Sequence, residues 1–231
     1  MMNLNSANFD KARFNMIEQQ IRPWDVLDAN VLHLLSVVKR EDFVPAAHKA
    51  LAFVDMEIPL RSPVDAAMSL GQCMLAPRLE ARMLQDLALK KTDKVLEVGT
   101  GSGFMAALLA HRAARVISLE LAPALADMAR NNLQIAGIDN AEVRVADGAK
   151  GLESEGPFNA IILSGSVAEV PHALMSQLAI GGRLVAIVGD EPVMRATVIT
   201  RTNATNFKTT CPWDSNAPRL QNFAEHSRFQ F

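Results

Sequence analysis

Apolar residues near the start of the chain recur every three to four positions. Phe14, Ile17 and Ile21 form one stripe, in a helix predicted from about Ser6 to Gln20 and stopped by Pro23. Val31, Leu34, Leu35 and Val38 form a second stripe behind Asp28, whose side chain can cap the first turn. Pro45 ends that region, and Ala52–Leu60 follows, then a loop with Pro63 and Gly71. Leu79, Met83 and Leu87 make a third stripe, in a helix opened by Ala76-Pro77 with proline in its favoured place. Residues 1–90 are therefore predicted to be a mainly helical cap.

After Lys94 the pattern becomes a regular alternation of strand and helix. The expected strands are Lys94–Val98, Arg115–Leu119, Glu142–Val145, Asn159–Leu163 and Arg183–Val188. Helical runs such as Met105–His111, Pro123–Ala136 and Val170–Leu178 lie between most of them. Such alternation gives a parallel sheet covered by helices on both faces. Two more strands, Met194–Arg201 and Phe207–Cys211, are separated only by Thr202–Asn206, too short for a helical crossover. They should form an antiparallel hairpin. The expected fold is α/β, a Rossmann-like sheet of seven strands, mostly parallel, over residues 91–231, compact with the cap. Phe223, Phe229 and Phe231 suggest that the C-terminal tail packs down.

Composition narrows the partners. A chain of 231 residues can bury a sizeable core, and 23 basic against 25 acidic residues leave a formal charge of −2. No basic block stands out, so nucleic acid is not an expected partner. Met1–Asp10 lacks the basic-then-apolar order of a signal peptide, and no apolar run approaches the ~20 residues of a membrane span. Cys73 and Cys211 are the only cysteines, and the histidines at 33, 48, 111, 172 and 226 are dispersed. A cytoplasmic protein with reduced thiols, no metal and no membrane partner is expected. Oligomeric state is not readable.

The candidate chemistry gathers at Val95-Leu96-Glu97-Val98-Gly99-Thr100-Gly101-Ser102-Gly103-Phe104. A buried strand ends in three alternate glycines and a helix begins, an arrangement that brings bare backbone and helix N–H groups to a nucleotide-like ligand. A dinucleotide fingerprint would carry its third glycine where Phe104 stands, and a large side chain there opposes close helix–strand packing. S-adenosylmethionine fits better. Glu97 suits its cationic amino-acid end; Glu120, followed by Leu121, ends the next strand and can accept both ribose hydroxyls; Asp147-Gly148 ends the third and can take the adenine amino group.

With these residues in place, the chain resembles the class I S-adenosylmethionine-dependent methyltransferases, and among them the protein-L-isoaspartate (D-aspartate) O-methyltransferase family. Arg40-Glu41-Asp42-Phe43-Val44-Pro45, Ala52-Phe53-Val54-Asp55, Gly71-Gln72 and Pro77 match that family's cap and active-site loop. Val95–Phe104, Val170-Pro171, Gln177-Leu178 and Gly181-Gly182-Arg183-Leu184-Val185 match its later segments. The resemblance implies methylation of a carboxylate on damaged aspartyl residues of proteins or peptides, with S-adenosylhomocysteine as product. Two departures stand out. The family loop reads Gly-Gln-Thr-Ile-Ser-x-Pro, with its Ser assigned to the active site, where this chain has Cys73 and Leu75 for the Thr and Ser. The family's closing Val-Arg-Phe-Val-Pro-Leu strand is also missing.

A carboxylate acceptor, with an ordinary pKa of roughly 4, needs no general base, so the lack of a His–Asp pair is compatible with catalysis. Asp55, Gln72 and Cys73 are the acceptor-side candidates, with no catalytic residue assigned. A methyltransferase for another acceptor, and a non-catalytic S-adenosylmethionine-binding module, are the alternatives.

Overall fold

The computed structural model describes residues 4–226. The expected packing of Phe229 and Phe231 lies outside the described residues. The cap begins with α1 (Leu4–Met16), which widens into a π turn at Ile17–Ile21, and continues with α2 (Ala29–Val37). Asp28 caps α2 as expected, its carboxylate accepting the Asn30 N–H. A two-stranded ribbon, β1 (Ile58–Pro59) against β2 (Cys73–Met74), encloses α3 (Val64–Ser69), where the sequence predicted only a loop. Helix α4 (Pro77–Leu87) then leads to the sheet.

The sheet has seven strands: β3 (Lys94–Val98), β4 (Arg115–Glu120), β5 (Ala141–Val145), β6 (Phe158–Val167), β7 (Leu178–Asp190), β8 (Val193–Arg201) and β9 (Phe207–Asp214). Their spatial order is β5-β4-β3-β6-β7-β8-β9. The five strands from β5 to β7 run parallel, and β8 runs antiparallel to both its neighbours. The helices between strands are α5 (Phe104–Ala110), α6 (Pro123–Ile135) and α7 (His172–Ser176). Helix α7 is shorter than the Val170–Leu178 run expected, because β7 already begins at Leu178. Strand order reverses at β3, and ligands of open α/β sheets settle in the crevice at such a switch point.

Alternation along β3 sends Val95 to one face and Leu96 to the other. The Val95 face shares a buried cluster with Phe104, Leu108 and Val116 of the sheet region and with Met16, Ile21, Leu35, Phe43 and Leu79 of the cap. The Leu96 face packs with Ile117, Ile161, Leu184 and the tail residue Phe223.

Phe104 is the joint between cap and sheet. Its buried ring meets Phe43 edge-on at 5.4 Å, and the Arg40 guanidinium lies 5.1 Å from its centroid. Arg40 also donates to the Ala52 and Leu75 carbonyls and pairs with buried Glu80. The large residue that argued against a dinucleotide fold thus anchors the helical cap.

Candidate cofactor and acceptor site

The carboxyl ends of β3, β4 and β5 open into a cleft of about 290 Å³. Gly99 and Gly101 form its floor, and both hold left-handed backbone, with φ of 92° and 55°. A side chain on Gly99 would come within 2.9 Å of Leu220 Cδ2. Gly103 has a different reason: its Cβ would press on Ala129 of α6 at 3.2 Å, so it serves helix packing and does not line the cleft.

Glu120 stands on one wall, beside Leu121. Its Oε2 accepts the Gly101 N–H and its Oε1 the Ala122 N–H, each at 2.9 Å. The carboxylate is locked in position, and each oxygen keeps a lone pair for a ligand hydroxyl. Asp147 and Gly148 close the far end. Asp147 accepts the Ala149 N–H at 3.0 Å and the Asn222 amide at 3.0 Å. Any Cβ on Gly148 would sit 2.3 Å from Val98 Cγ1, so only glycine fits there.

Glu97, in contrast, is fully buried beneath this floor. It accepts Ser118 Oγ–H at 2.6 Å and Ser164 Oγ–H at 2.9 Å, while Thr100 Oγ1 lies 2.5 Å from Ser118 Oγ. Burial pushes Glu97 up to about 8, with Glu80 and Glu120 adding to the rise against the two hydroxyl bonds. Glu97 lines a small cavity that shares Cys73, Gly99, Gly101 and Ser164 with the cleft, and it is bonded to the cleft residue Ser164. Thr100 and Ser102 are buried as well, and the Ser102 carbonyl accepts the Asn132 amide.

On the acceptor side, Gln72 and Cys73 line the cleft, and Asp55 does not. Asp55 pairs with Arg78 at 3.0 Å, whose guanidinium stacks on Trp24 at 3.9 Å. This is cap structure, so the sequence grouping of Asp55 with Gln72 and Cys73 is corrected. Burial pushes the Cys73 thiol up to about 12, an inert group at neutral pH. Leu75 is buried in the core, with its carbonyl held by Arg40.

The wall that the sequence did not reveal is the tail. Residues 217–223 run as a strap past β6: Ser166 N–H donates to the Pro218 carbonyl at 2.7 Å and Leu220 N–H to the Ser166 carbonyl at 2.9 Å. Arg219 bonds Asp190, Gln221 donates to the Leu70 carbonyl at 3.0 Å, and Leu220, Gln221 and Phe223 face the cleft. Phe223 was legible as an anchor; the course between anchors was not.

The model of the family Protein-L-isoaspartate(D-aspartate) O-methyltransferase matches residues 11–212. The chain belongs to this family. It is 41% identical over 179 residues to the protein-L-isoaspartate O-methyltransferase of Methanoculleus marisnigri, covering 78% of each chain. It is 42% identical over 183 residues to one from Syntrophobacter fumaroxidans, covering 79% of this chain and 82% of the relative. A family structure from Plasmodium falciparum, in complex with S-adenosyl-L-homocysteine, superimposes with a TM-score of 0.72 at 20% identity, over 92% of this chain and 98% of the other. Isoaspartyl methyltransferase architecture is thus shared across the sheet and cap, while the strap at 217–223 lies beyond the matched segment. Among the described residues there is no group of three or more potential metal ligands, and no helix is long and apolar enough to cross a membrane.

Proposed function

We propose that the protein transfers the methyl group of S-adenosylmethionine to the carboxylate of an isoaspartyl residue in a damaged protein or peptide. The family match over residues 11–212 carries this reading, and the cleft is suited to the donor. S-adenosylmethionine supplies a methyl on a sulfonium, which the acceptor oxygen takes in line as the carbon–sulfur bond breaks and S-adenosylhomocysteine is left.

The chain's own residues bind and align. Glu120, already fixed by two backbone N–H groups, takes the ribose hydroxyls through its remaining lone pairs. Asp147 and Gly148 receive the adenine, Leu121 covers it, and the Gly99 and Gly101 backbone leaves room for the amino-acid portion. Glu97, Thr100, Ser102 and Gly103 act from beneath by holding the loop. Gln72 and Cys73 face the acceptor; the Gln72 amide makes no side-chain hydrogen bond among the described residues and is free to orient a carboxylate. That carboxylate is ionised at neutral pH, so alignment in a partly dry cleft is the main requirement.

Residues 1–90 and 91–231 work in this reading as one compact unit, in the cytoplasm. Incubation with methyl-labelled S-adenosylmethionine and an isoaspartyl peptide should give a base-labile methyl ester, absent with the normal aspartyl peptide. Cofactor binding without ester formation would defeat the reading. The buried, apolar Leu75 favours one competitor, a different acceptor; labelling of other molecules in a cell extract, with the isoaspartyl peptide untouched, would select it.

A further inference from the structure

The cleft has its proposed adenine end at Asp147, just past β5, and runs over β4 and β3 towards β6. What stands at that last end is Ser164. In the pairing of β6 with β7, Ile162 faces Val185 and the next partners are Ser166 and Ile187, so β6 carries two extra residues within Leu163–Gly165. Bulges of this kind re-aim side chains beside functional sites. Here the bulge brings Ser164 level with Gly99, where a Cβ on the glycine would lie 3.7 Å from Ser164 Cβ. Leu220 of the strap packs tightly over the same bulge: a Cβ on Gly165 would come within 2.8 Å of Leu220 Cγ.

Ser164 lines the cleft together with Gln72 and Cys73, and it also borders the small cavity that Glu97 lines. Its hydroxyl is held by Glu97 at 2.9 Å, and Glu97 is held in turn by Ser118, whose hydroxyl also bonds Thr100. The loop offers no hydroxyl of its own, since Cys73 and Leu75 stand there and Leu75 is core.

We propose that Ser164 is the acceptor-specificity residue of the transferase reaction, its hydroxyl hydrogen-bonding the isoaspartyl carboxylate alongside the Gln72 amide. The proposal rests on the isoaspartyl reading above. Burial favours the protonated form of Glu97 at neutral pH. The Ser164-to-Glu97 bond can then reverse, the protonated Glu97 carboxyl donating to Ser164 Oγ across the same 2.9 Å, which leaves the serine hydroxyl hydrogen free to turn towards the cleft. Glu97 itself touches no acceptor and is a positioning residue.

The test uses the full chain, with steady-state kinetics on an isoaspartyl peptide and calorimetric titration of S-adenosylhomocysteine. Ser164→Ala should lower kcat/KM for the peptide about tenfold, with S-adenosylhomocysteine affinity within about twofold of the unsubstituted chain. Ser164→Thr, which keeps the hydroxyl, should recover most of the loss. Equal kcat/KM in the alanine variant overturns the proposal, as does a threonine variant no better than alanine. A matching loss of S-adenosylhomocysteine affinity overturns it too, by placing the hydroxyl on the cofactor. If the unsubstituted chain binds S-adenosylhomocysteine and esterifies no isoaspartyl peptide, the functional reading itself fails and this proposal with it. Activity that survives Ser164→Ala removes this proposal alone.

Discussion

Glu120 Oε2 accepts the Gly101 N–H at 2.9 Å, so the carboxylate at the end of β4 is tied to the glycine turn at the end of β3. The bond would make Glu120 a preformed receptor for the ribose proposed there. It need not be reoriented when a diol arrives, and little ordering cost is left for binding. Glu120→Ala should weaken S-adenosylhomocysteine binding by about 1.5–3 kcal/mol, the range for charge-assisted hydrogen bonds. Calorimetric titration measures this, and unchanged affinity would remove Glu120 from the ribose site.

Gly101 is the other half of that bond. Its φ of 55° is left-handed, and an added Cβ would point at Leu60 Cδ1, 3.3 Å away in the cap. Gly101→Ala should therefore act first on the fold, costing roughly 1–2 kcal/mol of backbone strain. In a chain of this size that lowers the melting temperature by about 2–8 °C. A thermal melt equal to that of the unsubstituted chain would show that the turn tolerates a side chain.

Buried Glu97 predicts a pH dependence of stability. In the folded protein it keeps its proton to about 8, whereas an unfolded glutamate loses it near pH ~4.3. Between those values the native state binds the extra proton, so raising the pH favours unfolding. Glu80, pushed up to about 7, acts in the same direction over the lower part of the window. Urea midpoints at about pH 5.5, 7 and 8.5 should fall in that order, and Glu97→Gln should flatten the upper step. A midpoint that rises with pH across this window would contradict the protonated Glu97.

The two thiols should separate cleanly. Cys211 is exposed, and Cys73 is buried with its thiol pushed up to about 12. At mildly alkaline pH an aromatic disulfide reagent should modify Cys211 rapidly in the native protein and Cys73 only after denaturation. Rapid reaction of both in the native state would place Cys73 at an open site.

Ending the chain at Asn216 removes the strap, and with it Leu220, Gln221 and Phe223 from the cleft wall. S-adenosylhomocysteine affinity should fall about tenfold, roughly 1.4 kcal/mol. Full affinity in the shortened chain would make the strap irrelevant to the cofactor.

Much of the sheet was legible because its strands are short apolar runs bounded by turns. Lys94–Val98 is observed as expected, and the Glu120 and Asp147 ends fall where alternation put them. Periodicity failed where burial is decided by distant chain. Asn159–Leu163 understated β6, which continues through the bulge to Val167 because the strap supplies partners for Ser166. The place of Glu97 before the glycines did not disclose its burial or its two hydroxyl partners, because Ser118 and Ser164 reach it from neighbouring strands. Asp55 was misplaced for a similar reason: nearness to the active-site loop in sequence does not outweigh its ion pair with Arg78.

Gln221 holds the Leu70 carbonyl across a separation of 151 positions, and a Cβ on Gly71 would be only 3.0 Å from the Arg219 carbonyl. The loop with Cys73 and Leu75 and the unfamiliar C-terminus are thus opposite lips of one mouth. The two segments that depart from the family pattern touch each other, so a graft that replaces the loop alone would seat it against this chain's own strap at Arg219 and Gln221.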